Sequence, residues 1–142
     1  MFKNFFKKNI NKTENSIVLI AALLIHAAKM DNNYTKDEKN IIQKALINLF
    51  KKTEAEINSI IQIAEKKEQN SNQIIEFTQE IKKNDMNTRL KIIEILWKII
   101  YSDETSDMYE SNLMRRISSL LYVSDKDTGI LKLKIKEERG IK

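Results

Sequence analysis

The chain has 142 residues, no cysteine, no proline and only two glycines, Gly129 and Gly140. These totals exclude disulfides and thiolate metal ligands, and they favour one helical domain with short polar turns over strands and long loops. The net charge of +5 sits at the ends: Lys3, Lys7, Lys8 and Lys12 are unopposed in residues 1–12, and six bases face three acids in 126–142, while 13–125 holds 15 bases against 17 acids. A basic nucleic-acid-binding domain is therefore not indicated, although basic ends attract phosphates or anionic lipid in a salt-sensitive, non-specific way.

In chain order, residues 1–13 form a basic N-terminal segment, 14–138 a helical domain and 139–142 a short tail. Phe2, Phe5 and Phe6 among lysines suit a weak membrane-surface helix, or rings that pack on the domain. The basic start followed by IVLIAALLIHAA (17–28) imitates a secretory signal. Glu14 interrupts the basic region, however, and the run is too short to span ~30 Å of hydrocarbon at about 1.5 Å per residue. It reads as a buried core helix. Helices are expected near 14–30, 36–51, 54–68, 71–83, 87–101, 108–122 and 125–138. The starts are marked by capping pairs: Thr35 with Glu38, Thr53 with Glu56, Asn70 with Gln73, Asp107 with Glu110 and Ser124 with Asp127. Apolar residues recur between them at helical spacing, as in Ile41, Ile42, Ala45, Leu46 and Leu49. The segment LKIIEILWKIIY (90–101), like 17–28, is apolar nearly all round, so Trp97, Ile99 and Leu23 read as core. His26, the one histidine, reads as a partly buried structural residue, since no second His or Cys stands ready to share a metal.

Shifted by 72 residues, LLIHAAKMDNNYTKDEKNIIQKAL (23–46) lies over ILWKIIYSDETSDMYESNLMRRIS (95–118). Asp31 falls on Asp103, Thr35 on Asp107, Glu38 on Glu110, and Ile41 and Ile42 on Leu113 and Met114. Each half reads as apolar helix, Asp, polar turn, cap, Glu, apolar helix. This layout resembles the TerB-like family, named for bacterial tellurite-resistance proteins, and the related N-terminal domain of a membrane-anchored bacterial J-domain co-chaperone. The resemblance covers roughly residues 17–133. It rests on the Asp…Glu turns, on the Leu-Trp helix of EILWKIIYSDETSDMYE, and on the Arg-containing helix opening LMRRISSLLYVSDKD (113–127). It implies an all-α fold: a single compact bundle of about seven helices built from two pseudo-repeats. The glycine usual after each Asp is Asn32 in the first turn and Glu104 in the second, many members have histidine where this chain has Asp107, and no His-Pro-Asp signature occurs.

The resemblance also implies that the acids chelate metal. Asp31, Glu38, Asp103 and Glu110 offer the hard oxygens that suit Ca²⁺, Mg²⁺ or Mn²⁺, and two related turns could bring them together. The spacing is not that of an EF-hand, which needs alternating ligands and a central glycine. Without any ligand, Glu38 and Glu110 are explained as third residues of capping boxes, and Asp31 and Asp103 as turn residues. Caps alone, a cation site and a protein-docking face all remain open from the sequence.

The functional expectation is a non-enzymatic, stress-related interaction module, cytoplasmic or peripheral to the inner membrane. It would have a protein partner, a divalent cation at the paired turns, and weak membrane contact through residues 1–12. The alternatives are a metal-dependent enzyme using the paired carboxylates, and nucleic-acid or anionic-membrane binding through the basic ends. No glycine-rich phosphate loop or Ser/His/Asp constellation supports catalysis. Arg115-Arg116 is the one arginine pair, so specific nucleic-acid recognition is not expected.

Overall fold

The computed structural model describes residues 12–30, 34–71, 73–103 and 108–140, and among these every regular element is helical. The helices are α1 (Lys12–Met30), α2 (Lys36–Phe50), α3 (Glu54–Gln69), α4 (Ile75–Ile81), α5 (Met86–Ile100), α6 (Met108–Leu120) and α7 (Asp125–Glu138), with a 3-10 turn at Tyr101–Asp103 after α5. No described helix is long and apolar enough to cross a membrane; the run 17–28 is instead core, with Ile17, Ile20, Leu23, Leu24 and Ile25 fully buried.

Local capping chemistry sets most helix starts. Thr35 Oγ1 accepts the Glu38 N–H (3.3 Å), and Ser124 Oγ accepts the Asp127 N–H (3.1 Å). Thr53 and Glu56 form the full reciprocal box, with Oγ1 taking the Glu56 N–H (3.2 Å) and Oε1 taking the Thr53 N–H (3.3 Å). Such caps stabilise by about 0.5–2 kcal/mol each. The Asp107 cap lies outside the described residues. One expected cap is overturned: Asn70 closes α3 instead of opening α4, its N–H donating to the Lys66 carbonyl (3.1 Å). Helix α4 accordingly begins at Ile75 without a side-chain cap, shorter than the expected 71–83. It is held by burial of Ile74, Phe77, Thr78 and Ile81. A further cap, not among the expected pairs, is Asp85, whose Oδ1 accepts the Thr88 N–H (2.8 Å) at the start of α5.

The repeat is visible in the helix bounds. A shift of 72 carries the start of α2 onto the start of α6. Each of these helices leads to a residue with positive φ, Lys51 (53°) and Tyr122 (57°), neither of them glycine. Two residues later in each case stands the cap of the next helix, Thr53 or Ser124. The second turn thus arrives one residue sooner, so α3 and α7 correspond at a shift of 71. Both buried residues of α7 fall on buried residues of α3 at that shift: Thr128 on Ile57, and Ile135 on Ala64. The packing repeats as well, since α1 lies chiefly along α3 while α5 lies chiefly along α7, and α1 and α5 join the halves at the centre. Arg89 on α5 braces the second left-handed turn. Its guanidinium donates to the carbonyls of Asn84 (3.0 Å), Leu121 (2.9 Å) and Tyr122 (3.3 Å), placing positive charge where a helix C-terminus carries partial negative charge.

Candidate functional site

The first acidic turn joins the end of α1, Met30, to the cap Thr35. Asp31 lies outside the described residues. Glu38, third residue of α2, is only 4 % exposed. Glu56 holds the same third position in α3, yet its side chain is 51 % exposed. A capping role alone is compatible with full hydration, so the burial of Glu38 comes from its place against the core beside the turn.

Two carboxylates on α3 hold the chain on either side of this turn. Glu68 accepts from Lys29 Nζ (2.7 Å) and lies 3.1 Å from His26 Nδ1, both on α1. Glu65 accepts from the Tyr34 hydroxyl (3.1 Å), just after the turn, and pairs with Lys39 in the first turns of α2 (3.4 Å). Burial, followed by the charge of Glu65, pushes the Tyr34 phenol well above its ordinary range, so it remains a donor at any ordinary pH. His26, 22 % exposed at its side chain, is engaged in this brace, in keeping with the structural role expected for it.

The second turn has a different frame. Tyr101 is buried and stacks on Trp97 (ring centroids 5.7 Å apart), and Ser102 Oγ donates to the Ile99 carbonyl (2.7 Å). Trp97 in turn donates from Nε1 to the Thr128 carbonyl on α7 (3.1 Å). At the position matching Glu68, just past the end of α7, stands Arg139, which donates to the Tyr101 carbonyl (3.5 Å). The flanks of the first turn are therefore braced by carboxylates and the helix end before the second by a guanidinium. The halves share a scaffold but not its charges.

Of the four acids expected from sequence, Glu38 is placed in full. Asp103 ends the 3-10 turn and Glu110 is the third residue of α6, the backbone counterpart of Glu38; for both, the description stops at the backbone. Among the described residues, no three His, Asp or Glu side chains form a metal-holding group. Ser16 Oγ accepts from Asn84 Nδ2 (3.3 Å), so the starts of α1 and α5 lie side by side and each helix runs from there toward its own acidic turn. A groove of about 580 Å³ lies near these starts, lined by Ser16, Leu19, Phe50, Glu80, Lys83 and Asn84. Its polar lining is largely tied up internally, as in the Lys83–Glu80 pair at 3.2 Å.

The bracing acids Glu65 and Glu68 were not anticipated. A signal did exist for Glu68, which continues the buried stripe Ile57, Ile61, Ala64 at helical spacing. A charge in a core stripe requires a partner, but periodicity does not say which one.

A family model described as Tellurite resistance protein TerB matches residues 18–133. No curated protein and no solved structure matches the chain. The match covers most of the chain, the all-helical architecture fits it, and the chain belongs to the TerB family.

Proposed function

We propose that this TerB-family domain is a non-catalytic interaction module of a stress response, and that its two acidic turns take a hard divalent cation, Ca²⁺, Mg²⁺ or Mn²⁺. The ligands are Asp31, Glu38, Asp103 and Glu110, which offer only oxygen donors, as those cations prefer. The burial of Glu38 beside the first turn carries this reading. A carboxylate packed into the fold beside the turn is a hard oxygen donor held at a fixed place, as a site for such a cation needs. The anchoring of the chain on either side of that turn by Glu65 and Glu68 supports it further, because fixed flanks lower the entropy lost on binding. The bound cation would order the two turns into one surface for a protein partner.

Calorimetric titration of Ca²⁺, Mg²⁺ and Mn²⁺ into the full chain and into Glu38→Gln and Glu110→Gln tests the proposal. Glutamine serves in a capping box, so both variants should fold while losing at least tenfold in affinity. Metal should also raise the wild-type melting temperature through linkage. No binding by the wild type at millimolar metal would sink the cation site.

A further inference from the structure

Helix α7 presents a solvent-facing apolar pair, Ile130 (53 % exposed) and Leu133 (63 % exposed). The exposed residues Lys126 and Glu137 flank the pair on the same face. The spacing of 4, 3 and 4 residues from Lys126 through Ile130 and Leu133 to Glu137 is that of a coiled-coil seam about 16 Å long. The scaffold itself does not require apolar groups there. At the matching positions of α3 stand Ser59 and Gln62, both exposed, and Ala55 and Lys66 take the flanking places.

The face of α7 is complementary to itself in only one sense of pairing. In an antiparallel arrangement Ile130 meets Leu133 of the second copy, and each Lys126 meets a Glu137. In a parallel arrangement like charges would meet at both ends. We infer that α7 is a self-association surface, on which two copies of this chain pair antiparallel about a twofold axis between Ile130 and Leu133. The contact is isologous, so each favourable pair occurs twice. The apolar area of two side chains per copy is far below the roughly 800 Å² per partner of a standard stable interface, so the dimer is weak and forms toward millimolar protein.

Sedimentation velocity of the full chain from micromolar to millimolar concentration tests this with variants confined to exposed charges, which leave the core untouched. The wild type should pass from monomer to dimer. Lys126→Glu alone, and Glu137→Lys alone, should each lower the association constant by about tenfold or more, because both symmetric ion pairs become repulsions. The double variant Lys126→Glu/Glu137→Lys should recover wild-type association, as should an equimolar mixture of the two single variants. A wild type that stays monomeric at millimolar concentration overturns the inference, as would an outside partner covering α7 in its place. Dimerisation unchanged by the single swaps overturns it equally, by assigning the contact to another surface.

Discussion

Removal of the Glu68 carboxylate is the sharpest test of how the end of α1 is held beside the first acidic turn. Glu68 is 8 % exposed and receives Lys29 at 2.7 Å and His26 at 3.1 Å, so one carboxylate fastens two sites on α1 to α3. Hydrogen bonds to charged groups contribute about 1.5–3 kcal/mol each, and stranding a buried charge costs about 3–5 kcal/mol. The full penalty does not apply, because the side chains of Lys29 and His26 are 40 % and 22 % exposed and can rehydrate. Glu68→Ala should therefore cost about 2 kcal/mol, a fall of about 1 M in the urea midpoint. Glu68→Gln, which keeps the volume and one acceptor, should cost about 1 kcal/mol. Double-mutant cycles with Lys29→Ala and His26→Ala should return coupling of at least about 0.5 kcal/mol for each pair. A Glu68→Ala variant within about 0.5 kcal/mol of wild type, or zero coupling in both cycles, would refute the reasoning.

Two further outcomes follow from the same physical chemistry. Arg89→Lys should destabilise by about 1–2 kcal/mol in chemical denaturation, because an ammonium cannot reproduce the guanidinium fork to three carbonyls; a lysine variant as stable as wild type would contradict that role. The backbone N–H of Thr53 holds the Glu56 carboxyl below its ordinary 4.5, and the N–H of Thr88 holds that of Asp85 below its ordinary 3.8. Both folded values are depressed, so their stabilisation is present above the ordinary values and is lost as pH falls through the lowered ones. The variant Glu56→Gln/Asp85→Asn keeps the caps, and its melting temperature should fall less on acidification below 3.8 than that of wild type.

Capping was legible where both partners lie within one turn of chain. Thr35, Thr53 and Ser124 act as the spacing indicates because an N-cap needs only a side chain and an N–H three residues on. Asn70 carries the same signal and ends a helix instead, for the chain has to turn there so that Ile74 and Phe77 reach the core. Asp85 was not legible in the same way because Thr88, three residues on, is neither an acid nor an amide and leaves only the cap half of the pair. The internal repeat was legible from the Asp…Glu turns at a shift of 72. The one-residue change to 71 beyond Lys51 and Tyr122 was not, because left-handed turns at lysine and tyrosine leave no glycine to mark them.

By itself the sequence determined an all-helical chain, its two-part repeat, most helix starts and a buried α1, since those follow from periodicity and contacts within a turn. The tertiary structure alone decided which charges matter. Glu38 and Glu56 occupy the same position of the same local motif, yet one is buried against the core and the other stands in water. Glu68 and Arg139 occupy matching positions of the repeat and brace their halves with opposite charge. Spacing fixes what a residue does to its own helix, whereas hydration and pairing depend on neighbours that only packing supplies.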